Sequence, residues 1–383
     1  MKHDKQISLI DRLFRLRETG NHEDMLDEVV RLPASIYTEQ SVLDDELSTV
    51  FKNFPMIARH ISNLSEPGSY ILSDWEKFPY VIVRDNEGRL RGYLNSCRHR
   101  GAQLVSEEEG NLKAFVCPFH GWSYDLDGNL KGVTRSYNFP DLDKASCSLR
   151  EFPVKEKNGL IWIHPSFDAS IDIDDYLGSF SDDLANFDLG NLKRYTKAKV
   201  TKKANWKLLI KTYLEGYHVP YLHRDTLQFA FKNGVITYDQ NGPNIRFVAA
   251  RTNITDAHET APEDWHILNY ASVYYCVFPN TFVIMHPDYV SINSFFPAGP
   301  DETVWTHEML YRPEDFQGES GQRALEKRFR FTNDAVFDQE DFAVTEGIQS
   351  GINFEKDQTH ILGLEEGLLG VFQRSVDGAI KAG

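Results

Sequence analysis

Positive charge is what this chain is short of. Against 57 Asp and Glu it sets 41 Lys and Arg, a formal net charge of −16 over 383 residues. Such a surface repels polyphosphates, so nucleic acid is not an expected partner, and an anionic substrate would need a basic pocket of its own. Long apolar runs are missing too, and no stretch reaches the roughly 20 residues that a membrane-spanning helix needs. The first twenty residues include Lys2, Asp4, Lys5, Asp11, Arg12, Arg15, Arg17 and Glu18, which leaves no apolar segment for a signal peptide. No Gly-x-Gly-x-x-Gly follows an apolar strand, so no built-in nicotinamide or flavin domain is expected. Cysteine is scarce: Cys97, Cys117, Cys147 and Cys276 form no disulfide framework, which fits a reducing, cytoplasmic setting. No repeat or low-complexity tract occurs.

What is present is an ordinary globular composition, 41% hydrophobic and 26% charged, on a chain long enough for two domains. From about Gln6 to Glu46 the apolar spacing is helical, with a second amphipathic stretch over Val42 to Phe54. Between Gly68 and Pro165 short apolar runs alternate with turns such as Asp85-Asn86-Glu87-Gly88 and Asp127-Gly128-Asn129, the pattern of an antiparallel β domain. The acidic stretch Asp172 to Asn191 reads as a linker. Beyond it, strands are expected at Tyr195–Thr201, Ile245–Thr252, Val273–Phe278, Thr281–His286, Tyr289–Phe296 and Thr303–Tyr311. Helices are expected from Asn205 to about Tyr217, from Pro313 to Phe331 and from Asp334 to Ile348. A sheet wrapped by helices is an α+β cavity fold. Its pocket lining is expected from Phe278, Phe282, Met285, Phe295 and Phe296.

Two clusters carry chemistry. Cys97-Arg98-His99-Arg100-Gly101 is answered by Cys117-Pro118-Phe119-His120-Gly121-Trp122, and each half offers one thiolate and one imidazole. Together they suit a tetrahedral zinc, or a [2Fe-2S] cluster with both cysteines on one iron and both histidines on the other. The short, mixed pairs favour the cluster, because zinc modules more often pair Cys with Cys and His with His. Downstream, His218 and His223 are five apart, which on an unbroken helix would splay them by about 140°. Pro220 between them is expected to kink or end the helix and let His223 turn back. With one carboxylate from Asp338-Gln339-Glu340-Asp341 they would complete the facial triad that suits non-haem Fe(II).

The first cluster resembles the Rieske motif. The two together, in this order, resemble the catalytic α subunit of Rieske non-haem iron oxygenases of the aromatic ring-hydroxylating type, over nearly the whole chain. Leu32-Pro33-Ala34-Ser35-Ile36-Tyr37 resembles the arm that precedes the Rieske domain in such subunits. The resemblance implies an N-terminal helical arm over 1–50, an antiparallel β Rieske domain over 51–170, and a catalytic domain over 171–383 with a START-like, helix-grip sheet. It implies that Cys97, His99, Cys117 and His120 hold the [2Fe-2S] cluster and that His218, His223 and Asp341 hold mononuclear Fe(II), with Asp338 and Glu340 as the alternatives to Asp341. It also implies a homotrimer, or a larger trimer-based assembly, in which the cluster of one subunit lies near the iron of its neighbour. A carboxylate three residues before the first histidine bridges the centres in the family, and here that residue is Glu215. Many ring-hydroxylating members have Asp there, whereas Glu looks like members that oxidise quaternary amines such as carnitine or betaines.

The activity implied is that of a terminal oxygenase component. It would use electrons from a separate reductase or ferredoxin, and dioxygen, to hydroxylate a small organic substrate, an aromatic ring or aromatic acid first of all. Monooxygenation or demethylation of a quaternary ammonium compound is the alternative. A Rieske electron carrier or ligand-binding module without turnover is the reading from another class, and such a protein needs none of His218, His223 and Asp341.

Overall fold

The computed structural model describes residues 1–20, 28–355 and 357–383, and the chain separates into two compact units, Lys52–Asp172 and Met1–Phe51 with Ile173–Gly383. The expected arm over 1–50 therefore belongs to the same unit as the C-terminal part. Its helical pattern appears as His3–Thr19 and Gln40–Asn53, and the part of the Gln6–Glu46 expectation that falls on 21–27 lies outside the described residues. Between the helices Val30–Pro33 pairs antiparallel with Thr359–Leu362.

The Lys52–Asp172 unit is built from short antiparallel strands. A five-stranded sheet runs Glu151–Phe152, Leu90–Leu94, Tyr80–Arg84, Ser69–Leu72, Glu109–Asn111, and two three-stranded sheets complete the unit. The turn expected at Asp85–Gly88 forms because Gly88 takes φ 83° and the buried Asp85 carboxylate accepts the N–H of Glu87 and of Arg89. Val81, Val83, Tyr93, Phe115, Tyr124 and Leu126 are buried in one apolar cluster that also encloses Cys97 and Cys117.

The larger unit is organised on a seven-stranded antiparallel sheet with the order Lys193–Lys202, Glu302–Tyr311, Tyr289–Gly299, Thr281–Met285, Ala271–Val277, Asn244–Arg251, Phe231–Asn241. The last of these, an edge strand, escaped the sequence reading. Its Lys232-Asn233-Gly234 start breaks the apolar pattern, and its register slips between Phe231 and Ile236. The supposed linker is not one. Ile173–Leu177 and Ser179–Asn186 are helices that bury Ile173, Leu177, Phe180 and Leu184, and the Asp183 carboxylate is taken up by Arg246. The two expected late helices are one continuous run. Gly318–Phe329 passes into a π-helix, Arg330–Phe342, and on into Ala343–Phe354. Among the described residues no helix is long and apolar enough to cross a membrane.

Candidate metal centres

In the smaller unit two loops fold alike. The Cys97 and Cys117 N–H groups donate to the carbonyls five residues on, Ala102 and Trp122, and Gly101 and Gly121 return their N–H groups to the cysteine carbonyls. Both glycines are left-handed, φ 78° and 70°, a conformation that a side chain would strain. One turn therefore serves both the C-x-H and the C-x-x-H spacing. It brings His99 Nδ1 within 3.1 Å of His120 Nδ1, while Cys97 and Cys117 are buried and not joined in a disulfide. Trp122 stacks on the His99 ring at 4.8 Å, and Phe139 meets both edge-on. Tyr124 was not anticipated. Its hydroxyl accepts the Arg98 N–H at 3.1 Å, which leaves its own hydrogen for Cys97 Sγ at 3.2 Å.

Burial pushes the Cys97 thiol up, the Cys117 thiol adds to this, and Tyr124 and the His99 backbone N–H pull the other way. Burial also lowers His99, and His120 and Arg100 lower it further. Two buried thiols beside two nitrogens that face each other form a donor set with no cation of its own. The set fits a cluster with sulfur ligands on one side and nitrogen ligands on the other.

The second centre is assembled from distant segments. The helix Trp206–Thr212, capped by the Asn205 side chain on the Lys207 N–H, stops well before Pro220. The chain breaks over Leu214–Gly216, and Pro220 sits in the first turn of a new short helix, Val219–Leu222. The expected kink is thus a full break placed earlier, with the proline opening a helix, where its missing N–H costs nothing. Across this one turn His218 Nε2 and His223 Nε2 stand 3.2 Å apart. Asp341 Oδ1, from the end of the π-helix, lies 3.0 Å from His223 Nε2 and 3.5 Å from His218 Nε2. This buried oxygen has no hydrogen-bond partner, and with Nδ1 of each ring turned to a carboxylate each Nε2 offers it a lone pair rather than an N–H. Three ligands at right angles with bonds of about 2.1 Å span about 3.0 Å between donor atoms, so the triangle fits a first-row metal ion.

Carboxylates hold both rings from behind. Glu215 accepts His218 Nδ1–H with one oxygen and the His218 backbone N–H, at 3.1 Å, with the other. Glu340 Oε2 takes His223 Nδ1–H and the Thr226 hydroxyl, each at 2.7 Å. Each imidazole is thereby fixed with Nε2 turned inward. Burial pushes the Asp341 carboxyl up against the pull of His223 and His218, while Asp341 and Glu340 overcome the burial that would lower His223. Of the alternatives to Asp341, Glu340 stands behind the triangle, and Asp338 is engaged by Lys202. The π-helix explains how one element reaches so far along the site. With i→i+5 bonding a turn takes between four and five residues, so Thr332, Val336 and Asp341 fall on one face.

Two chambers adjoin here, and the inner one opens at the triangle. The inner, of about 90 Å³, is lined by His218, His223, Asp341, Phe247, Ala249 and Ile236 among others, and the outer holds about 520 Å³. Leu227, Phe231, Tyr274, Val336 and Phe337 line both and form the waist between them. The lining expected from Phe278, Phe282, Met285, Phe295 and Phe296 is incorrect, since neither chamber touches them. Side chains alternate across a strand, so Met285 and Phe296 point away from the face that carries Ile284 and Phe295. Phe282 and Phe295 are on the right face but lie beneath Tyr213, which stacks on Phe282 at 4.9 Å.

The chain matches the family model for the ring hydroxylating alpha subunit (catalytic domain) over residues 189–382, and that for the Rieske [2Fe-2S] domain over 55–153. It is 33% identical over 219 residues to the chlorobenzene dioxygenase subunit alpha of Cupriavidus sp., 53% of this chain and 47% of that protein. To the glycine betaine monooxygenase oxygenase subunit of Chromohalobacter salexigens it is 29% identical over 208 residues, 54% of this chain and 45% of that protein. These alignments span about half the length of the curated relatives. Among solved structures, a quaternary ammonium Rieske monooxygenase superposes with TM-score 0.79 at 22% identity, over 91% of this chain and 94% of that one. Naphthalene 1,2-dioxygenase with bound indole superposes with TM-score 0.76 at 21% identity, over 92% of each chain. A Rieske domain binds a [2Fe-2S] cluster, and the catalytic domain of ring-hydroxylating α subunits binds mononuclear iron. With both domains in one chain, the protein belongs to the ring-hydroxylating α-subunit family of Rieske non-haem iron oxygenases.

Proposed function

We propose that this chain is the terminal oxygenase component of a multi-protein system, hydroxylating a small organic substrate with dioxygen and with electrons from a separate reductase or ferredoxin. The observation that carries the reading is the donor triangle of His218, His223 and Asp341, closed to solvent at Asp341 Oδ1 and opening on a chamber. Cys97, His99, Cys117 and His120 would hold the cluster, and the triangle would hold the iron. When bound, the cluster supplies single electrons and the iron supplies dioxygen activation.

The rest is the work of the chain. Glu215 and Glu340 keep a proton on each Nδ1, so that each Nε2 lone pair stays turned into the triangle. The aromatic waist excludes water and presents flat faces to a substrate ring. Glu215 uses one lone pair of each oxygen within its own chain, and the remaining lone pairs allow the bridging role to a neighbour's histidine. We place the protein in the cytoplasm as a homotrimer or trimer-based assembly, a reading supported by its four unpaired cysteines and by the family. A quaternary ammonium substrate is the second reading, favoured by Phe231, Phe247, Tyr274 and Phe337 around the inner chamber, which could cage such a cation.

Anaerobic iron and sulfide analysis with EPR before and after dithionite tests the proposal. About three irons and two sulfides per chain, a Rieske-type reduced signal, and substrate-dependent dioxygen uptake with a reductase are expected. Two irons with no further Fe(II) uptake would favour the electron carrier, and colourless zinc protein would overturn both.

A further inference from the structure

The outer chamber is charged against the sign of the chain. Its lining carries Arg251, Arg328 and Lys327, and its one acid, Asp288, is bound by Arg328 Nε at 2.8 Å. Lys327 is exposed at the rim. Arg251 is different. It is half-buried, its guanidinium lies 5.9 Å from the Phe231 ring, and no ion pair of it occurs among the described residues. The strand Asn244–Arg251 carries Phe247 and Ala249 in the inner chamber and Arg251 in the outer, all on one face, so the cation stands at the far end of a continuous cavity floor. A second orphan lies on the same chamber. His286 stacks on Tyr289 at 4.1 Å, and its Nε2, shut off from solvent, has no hydrogen-bond partner. Burial, with His307 and Arg251 nearby, lowers this imidazole to about 3, so it is neutral at physiological pH. Tyr274 lines both chambers.

We propose that the outer chamber is an anion subsite in which Arg251 holds a carboxylate of the substrate. The rest of that molecule passes the waist and presents its far end to the triangle. This rests on the oxygenase reading and narrows its substrates to carboxylates, whether aromatic acids or carboxylated quaternary amines. The inner chamber is too small to hold such a molecule alone, because ligand sites commonly measure about 300–1,000 Å³.

The test is calorimetric titration of the full chain, loaded with cluster and iron, with two matched pairs: benzoate against benzamide, and γ-butyrobetaine against choline. One pair is expected to show a carboxylate preference of about 10- to 100-fold, the range for a charge-assisted contact. Arg251→Gln should bring that ratio to within about threefold while leaving the neutral or carboxyl-free probe unchanged, and Arg251→Lys should keep part of it. The pair that responds separates aromatic acids from betaines. No preference in either pair, absence of binding included, or an unchanged ratio in Arg251→Gln overturns the proposal. The ratio is read without turnover. A wild-type chain that shows the ratio but takes up no mononuclear iron would sink the oxygenase reading alone, and a wild-type chain with both metals bound and no ratio would sink the subsite alone.

Discussion

The two candidate centres are built in opposite ways. In the smaller unit all four donors fall between positions 97 and 120, and backbone turns place them, with one hydrogen-bonded loop used twice. In the larger unit the donors come from 218, 223 and 341, and side chains place them, with Glu215 and Glu340 aiming the two imidazoles. A centre placed by backbone depends on few residues outside its loops. A centre placed by side chains spreads its requirements over every element that holds an aiming group, and losing one such group should loosen it gradually.

The sharpest way to break this comparison is to remove one donor from each centre. On the proposed assignment Cys117→Ser should eliminate the cluster, with its visible and EPR signals, and reduce iron from about three to about one per chain. Loss of the mononuclear iron as well would mean that the two sites are not independent in assembly. Asp341→Ala should bring turnover below about a thousandth of wild type while the cluster spectrum stays intact. A fully active Asp341→Ala protein would move the third ligand to Glu340, which already touches His223.

The same contrast decides what could be read from the sequence. A centre made by local turns is written as a motif, and the positive-φ glycines at 101 and 121 are part of that writing. The six strands expected beyond Tyr195 lie close to those observed, because each alternates or runs apolar into a buried sheet. The failures arise where tertiary structure decides. Lys232, Asn233 and Gly234 hide an edge strand that becomes a cavity wall. Asp183 looks like linker chemistry until Arg246 is opposite it. Nothing in Arg330–Phe342 announces π-helical bonding, yet that geometry brings Asp341 to the histidines. Glu340 could have been found by asking which acid would hold the back of a ligand histidine. Tyr124 could not, since its neighbour in space is 27 positions away.

Two smaller effects sharpen the comparison. Glu340→Gln keeps the shape of the side chain but weakens the grip on His223 Nδ1, and should lower Fe(II) affinity about 10- to 100-fold. Its cluster potential should not move. Equal Fe(II) dissociation constants for variant and wild type would mean that the side-chain aiming described for the second centre contributes nothing.

Tyr124→Phe asks the matching question of the first centre. Reduction adds negative charge to the cluster and its sulfur ligands, so an O–H that donates to Cys97 Sγ stabilises the reduced form more than the oxidised one. For a one-electron couple 59 mV corresponds to a tenfold change in equilibrium, so a bond worth about 1 kcal/mol more in the reduced state raises the potential by about 40 mV. The variant should therefore be reduced at a potential lower by about that amount in a dye-mediated titration, with its EPR line shape and its iron content unchanged. The backbone turns and the four ligands are untouched by the substitution, and the Arg98 N–H released from the phenol oxygen belongs to an exposed residue that water can serve. A potential that does not move would show that the Tyr124 hydrogen is not on the sulfur, and that backbone placement alone accounts for the properties of this centre. A fall in iron content would show the reverse, that even the centre placed by its backbone depends on a distant side chain.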